Sequence, residues 1–169
     1  CIRDRVSGYG TGGTVSGVGR VLREKSPGTK IILTEPENAA LIGSELKQDR
    51  HSDNTPATSH SSWNPHLIQG WTPDFIPFVL QEAIDNNYFD KLLPVSGEQG
   101  ITWAKRLARA EGIITGISGG STFAIAMEVA KDAPPDSNIL CMLPDTGERY
   151  LSSPLFEAVS YTHLTLPTI

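Results

Sequence analysis

Apolar positions along this chain recur at two alternating periods. Val15, Val18, Val21 and Leu22 fall on one stripe at three- and four-residue spacing, which predicts a helix from Thr14 to Lys25. Pro27-Gly28 ends it. Lys30-Ile-Ile-Leu-Thr-Glu35 is then a continuous apolar run stopped by Pro36, the pattern of a short strand buried on both faces. Pro77 to Ile84 predicts a short helix and Lys91 to Val95 a strand. Glu98 to Glu111 is amphipathic, with Ile101, Trp103, Ala104 and Leu107 apolar, Ser96 as its N-cap and Gly112 just past its end. Ile113-Ile-Thr-Gly-Ile117 predicts a buried strand, Thr122 to Lys131 a helix, and Asn138 to Leu143 the last strand.

Strands alternating with helices over short connections predict an α/β fold: a three-layer, open, mostly parallel sheet with helices on both faces. Three stretches depart from the rhythm. Residues 45 to 66 crowd Asp, Ser, Asn, Thr and His around Pro56 and Pro65, a polar loop long enough to be functional or disordered. The strand that should feed the first glycine loop has only Ile2 and Val6, with Arg3, Asp4 and Arg5 between them. It is expected to be short or curtailed, leaving an unpaired sheet edge. Tyr161 to Ile169 matches nothing in the scheme, so the domain is taken as 1–160 and 161–169 as a non-native tail. The abrupt start and that tail together suggest a fragment.

Composition narrows the function. The 169 residues suit one domain, and 38% hydrophobic with 20% charged residues is ordinary for a globular chain. The net charge is −5 and no Lys/Arg run stands out, so neither nucleic acid nor an anionic membrane is an expected partner. An anionic ligand would need local donors instead of a basic field. Cys1 and Cys141 give no disulfide framework, and Cys141 reads as a small buried thiol. His51, His60 and His66 lie in or beside the polar loop, without the spacing of a Cys/His metal site. No secretory signal or membrane-length apolar run is visible, which makes a cytoplasmic location the expectation.

Two segments carry candidate chemistry, both beyond predicted strands, where open α/β sheets bind ligands. In Gly10-Thr-Gly-Gly-Thr14 the glycines let several N–H groups converge, and the helix that follows adds its positive end. Thr11 and Thr14 add hydroxyls, so the loop suits a phosphate without Lys or Arg. The same segment satisfies G-x-G-x-x-G over Gly8 to Gly13, with Glu35 ending the next strand, which leaves a dinucleotide (NAD) module as an alternative. The second segment, Gly116-Ile-Ser-Gly-Gly-Ser121, opens another helix, and locally Ser118 or Ser121 reads as a simple N-cap.

Taken in order, Gly10 to Thr14, Thr34-Glu-Pro36, Ile68-Gln-Gly70, Gly112 to Ser121 and Leu143-Pro-Asp-Thr-Gly-Glu-Arg-Tyr150 resemble the cysteine synthase (O-acetylserine sulfhydrylase) family. The likeness runs over roughly residues 6–159, and its specific parts are the GTGGT loop and the PDTGERY segment. It implies a tryptophan synthase β-like fold and pyridoxal 5'-phosphate as cofactor. Gly10, Thr11, Gly12, Gly13 and Thr14 would hold the phosphate, and Ser118 would face the pyridine nitrogen. Pro144 and Asp145 would lie near the ring, with Gln69 and Gly70 on the substrate side. The resemblance further implies O-acetylserine and sulfide as substrates, a homodimer, and serine acetyltransferase as a partner. A cystathionine β-synthase-like enzyme is the nearest rival. The sequence departs from the pattern in its long 49–65 loop, in Ser118-Gly119, and in lacking the Schiff-base lysine: none of Lys25, Lys30, Lys47, Lys91, Lys105 and Lys131 lies in a matching motif. This chain alone is therefore expected to be inactive.

Overall fold

In the computed structural model, which describes residues 1–156, β1 (Ile2–Gly8), β2 (Lys30–Pro36), β3 (Lys91–Val95) and β4 (Asn138–Cys141) form one all-parallel sheet. The strand order is β3-β2-β1-β4. Successive residues of β2 feed opposite cores, as a strand covered on both faces requires. Ile32 packs with Val6, Val95, Ile117 and Ala124 beneath α3 (Gly97–Glu111) and α4 (Ile117–Lys131). Leu33 packs with Val15, Leu41, Leu80 and Ala83 beneath α1 (Gly13–Lys25) and α2 (Phe78–Asp85). The expected three-layer α/β architecture is the observed one.

One glycine of the second candidate segment, Gly120, serves this packing. A Cβ on Gly120 would fall 2.0 Å from the Gly100 carbonyl oxygen, so α3 and α4 meet backbone to backbone there.

Four expectations need correction. The first strand is a full seven residues and sits inside the sheet, paired on one side to β2 and on the other to β4; the edges are β3 and β4. Its apolar pattern is hidden because two charged residues are buried in it. Asp4 pairs with Arg3 at 2.5 Å, and Arg5 donates to Ser7 Oγ at 3.0 Å, with burial lowering its pKa. Residues 113–117 form no strand. Gly112 caps α3 in the left-handed conformation, Ile113 and Ile114 are exposed, and α4 already begins at Ile117. A short apolar run fits either state, and here the helix claimed its end.

The 45–66 loop is pinned by its own polar side chains. Gln48 donates to Thr58 O (2.8 Å) and accepts from Ile76 N–H (3.0 Å), and Arg50 donates to Ile76 O (2.6 Å). Polarity there satisfies backbone groups instead of solvating a mobile segment. The last strand stops at Cys141, two residues early. The expected tail, 161–169, lies outside the described residues. No described helix is long and apolar enough to cross a membrane.

Candidate functional site

The amino-terminal ends of α1 and α4 open on one cleft of about 300 Å³ at the carboxyl end of β1. Gly10 lines it from the loop before α1, Thr14 from α1, Ser118 and Thr122 from α4, Gln69, Gly70 and Trp71 from the segment before α2, and Pro144 and Asp145 from beyond β4. Seven of the ten residues singled out in the sequence therefore share one cavity. The other three, Thr11, Gly12 and Gly13, are not among its lining residues. Gly12 is the N-cap of α1 with φ 90°, and a Cβ there would sit 2.6 Å from the Leu80 backbone. Its part is to turn the chain into the helix. Gly13 is the helix's first residue and Thr11 is exposed.

Neither α1 nor α4 carries a side-chain cap. The first-turn N–H groups of each have no partner within the helix, and the helix dipole adds partial positive charge at the same place. The N-cap expectation for Ser118 or Ser121 is thus incorrect, because α4 starts before both. Ser121 Oγ donates back to Ile117 O (2.9 Å) and Thr122 Oγ1 to Ser118 O (2.9 Å), the bonds a hydroxyl makes inside a helix. Ser118 Oγ turns the other way and donates to Asp145 Oδ1 at 3.4 Å.

Asp145 is held from two further directions. Tyr150 Oη donates to its Oδ2 at 2.5 Å, and Thr115 Oγ1 donates to its carbonyl at 3.1 Å. Burial, then the hydrogen bond and charge of Asp145, push the Tyr150 phenol up to about 12, so it stays a donor at neutral pH. Tyr150 lies on a short 3-10 helix (Gly147–Tyr150) and was visible in the sequence only as the end of the PDTGERY segment.

Among the described residues, Asp145 is the one acidic side chain in the cleft lining, and no Lys or Arg joins it. Of the six lysines, five are exposed and Lys105 is half-buried on α3. An anion in this cleft would be held by backbone N–H groups, hydroxyls and helix ends.

Glu35 removes the dinucleotide alternative. Its carboxylate turns inward and is 2% exposed. It accepts from Tyr9 Oη (2.5 Å), Gly43 N–H (2.8 Å) and Ile42 N–H (3.2 Å), so both oxygens are engaged inside the fold and out of reach of a ribose. Burial raises its pKa, opposed by those donors and by His60. Sequence reasoning passed over several lining residues, Tyr9, Thr122 and Met142 among them, and saw the largest, Trp71, only as one aromatic of a structured turn. Among the described residues, no group of three His, Cys, Asp or Glu side chains could hold a metal ion.

Comparison with known proteins fits this geometry. The family described as "Pyridoxal-phosphate dependent enzyme" matches residues 3–145. An O-ureido-L-serine synthase from Streptomyces lavendulae is 40% identical over 154 residues, covering 91% of this chain and 41% of the relative. A cysteine synthase from Staphylococcus aureus (strain Mu50) is 34% identical over 151 residues, covering 89% of this chain and 42% of the relative. A crystal structure of O-ureido-L-serine synthase superposes with a TM-score of 0.80 at 38% identity, over 95% of this chain and 45% of that one. The chain thus spans about two-fifths of the length of the curated relatives it matches.

Proposed function

This chain belongs to the pyridoxal-phosphate-dependent enzyme family, and from that premise we propose that the whole protein replaces the β-substituent of an activated serine, forming L-cysteine from O-acetylserine and sulfide. Enzymes of this family use pyridoxal phosphate. When bound, the cofactor supplies an electron sink next to the amino acid's α-carbon, which lets a β-substituent depart and another take its place.

The residues of the cleft fit that group. Part of the cleft lining is the uncapped start of α1 with Gly10 and Thr14, a cradle of neutral donors suited to a phosphate. We assign phosphate binding to Gly10–Thr14, with Thr14 facing the ligand and Gly12 shaping the turn. Another part is Ser118, which we assign to the ring nitrogen, with Pro144 and Asp145 beside it. Ser118 Oγ donates to Asp145 Oδ1 over a long 3.4 Å, and turning that proton toward an unprotonated ring nitrogen would let the hydroxyl donate to it. Tyr150 and Thr115 keep Asp145 in place. Gln69 and Gly70 would face the amino-acid substrate.

The single observation that carries this reading is the convergence of two uncapped helix starts, from the GTGGT and GISGG segments, on one cleft. No lysine of this chain lines that cleft, so the lysine that such chemistry needs would come from outside these 169 residues. The test is to supply the full-length protein and this chain separately with pyridoxal phosphate, O-acetylserine and sulfide. Cysteine formed by the full-length protein alone is the expected outcome; turnover by the 169-residue chain would refute the lysine assignment.

One observation favours a second reading of the product. The 40%-identical relative is named O-ureido-L-serine synthase, so a product with oxygen at the β-carbon competes with cysteine. Tighter retention of O-ureido-L-serine than of L-cysteine by the loaded protein would move the assignment there. A homodimer, and serine acetyltransferase as its partner, follow only from the cysteine synthase reading and stand or fall with it.

A further inference from the structure

Trp71 forms one wall of the cleft. Its indole occupies the space a side chain at position 8 would take: a Cβ on Gly8 would lie 2.0 Å from Trp71 Cε2 and 2.1 Å from Cζ2. The ring therefore stands against the carboxyl end of β1 and shares the cleft lining with Gly10, Thr14 and Ser118. Its backbone is fixed on both sides. Trp71 N–H donates to Ile68 O at 3.3 Å. Gly70 (φ 80°) and Thr72 (φ 39°) flank it in left-handed backbone, which a β-branched residue adopts only when its surroundings impose it.

Those surroundings are visible. Thr72 N–H donates to the Tyr9 carbonyl in the glycine loop at 2.9 Å. The Thr72 carbonyl accepts twice from the long polar segment, from Trp63 Nε1 at 3.1 Å and from His66 Nε2 at 3.2 Å. The polar segment and the glycine loop thus grip the residue next to Trp71 from opposite sides.

We propose that Trp71 is the specificity-determining wall for the second substrate, and that Trp63 and His66 are positioning residues acting on it through the Thr72 carbonyl. The proposal rests on the β-replacement reading above. On that reading the α1 cradle takes the phosphate and Ser118 the ring nitrogen, which leaves Trp71, the largest side chain of the same lining, to meet a group attached at the substrate's β-carbon. A rigid indole there admits a small nucleophile such as sulfide and turns away one carrying a ring. In the exchange the sulfur supplies the electron pair of the new Cβ–S bond. Acetate departs with the pair of the Cβ–O bond, and the thiol proton goes to water.

The test compares kcat/KM for benzenethiol with that for sulfide, in the full-length protein loaded with pyridoxal phosphate and given O-acetylserine. Trp71→Ala should raise the benzenethiol-to-sulfide ratio by ~10-fold or more, the scale on which pocket walls discriminate size. Trp63→Phe keeps a ring and removes the donor to Thr72 O; it should raise the same ratio by about 3-fold, the worth of one modest hydrogen bond. A purely structural role for Trp63 would lower the unfolding temperature and leave that ratio alone.

Calorimetric affinities for S-phenyl-L-cysteine and L-cysteine give a readout without turnover and should shift in the same direction. If Trp71→Ala does not fold, Trp71→Leu carries the same comparison. Unchanged ratios in an active protein would overturn the wall and leave β-replacement standing. No product with either nucleophile from the wild-type protein would sink the β-replacement reading, and the wall with it.

Discussion

Helices α3 and α1 begin in opposite ways. At the start of α3, Ser96 Oγ accepts from Gln99 N–H (3.1 Å) and Gln99 Oε1 accepts from Ser96 N–H (2.9 Å), a complete capping box. That end of the helix is closed by its own side chains. At the start of α1 the N-cap is a glycine, no side chain caps the turn, and the first residues open on the cleft. Helix α4 begins the same open way on the same cleft. A helix start whose donors are already taken is a piece of scaffold, whereas one left open beside hydroxyls and a second open start is equipped to receive an anion.

The largest effect should come from closing the turn that makes α1 open. Gly12→Ala puts a Cβ in left-handed backbone and within 2.6 Å of the Leu80 main chain. Overpacking against backbone plus that strain should cost about 3 kcal/mol of stability. Urea denaturation checks it, and a loss below about 1 kcal/mol would mean the turn is soft. Next is the ligand itself. Thr14→Val should weaken pyridoxal phosphate ~10-fold or more in the full-length protein, the worth of a hydrogen bond to a charged group. Pyridoxal, which lacks the phosphate, should bind unchanged. Equal losses for both ligands would show that the open start of α1 does not hold the phosphate.

How much of this was legible in the sequence differs between those same regions. Ser96 was read as the α3 cap because N-cap chemistry is local, while the return bond from Gln99 that completes the box came only with the structure. The fold class and the cleft's main segments were also legible, since periodicity and glycine-hydroxyl loops survive without tertiary context. The first strand was underread because Arg5 and Asp4 are buried with partners one or two residues away, and burial of a charge cannot be seen in a pattern. Ser118 and Ser121 were misread as caps because the true start of α4 lies at Ile117, inside a run that looks like a strand. Trp71 and Glu35 needed the third dimension: one faces the cleft through a gap left by Gly8, and the other turns away from it toward Tyr9.

A smaller effect tests the closed member of the pair. Ser96→Ala removes the acceptor of Gln99 N–H and should cost about 1 kcal/mol, the usual worth of an N-cap. The affinity for pyridoxal phosphate should not change, because α3 starts outside the cleft lining. A drop in cofactor affinity matching that of Thr14→Val would erase the distinction between scaffold starts and receiving starts.

The smallest effect concerns Glu35, where donors are closed internally as they are at α3, but by a carboxylate. Burial raises its pKa, while the Tyr9 hydroxyl, the Gly43 and Ile42 N–H groups and the charge of His60 pull the other way. A folded-state value above the unfolded one means the folded protein binds the proton more tightly. The associated stability is fully present below the unfolded value of about 4.3 and is lost as pH rises through the folded value. Glu35→Gln cannot titrate, so the wild type should lose stability relative to the variant as pH climbs from about 4 toward neutrality. Urea midpoints for both proteins across that range measure the gap. A gap that stays constant, or that moves in the wild type's favour with rising pH, would show that the three donors outweigh burial and hold Glu35 as a settled carboxylate.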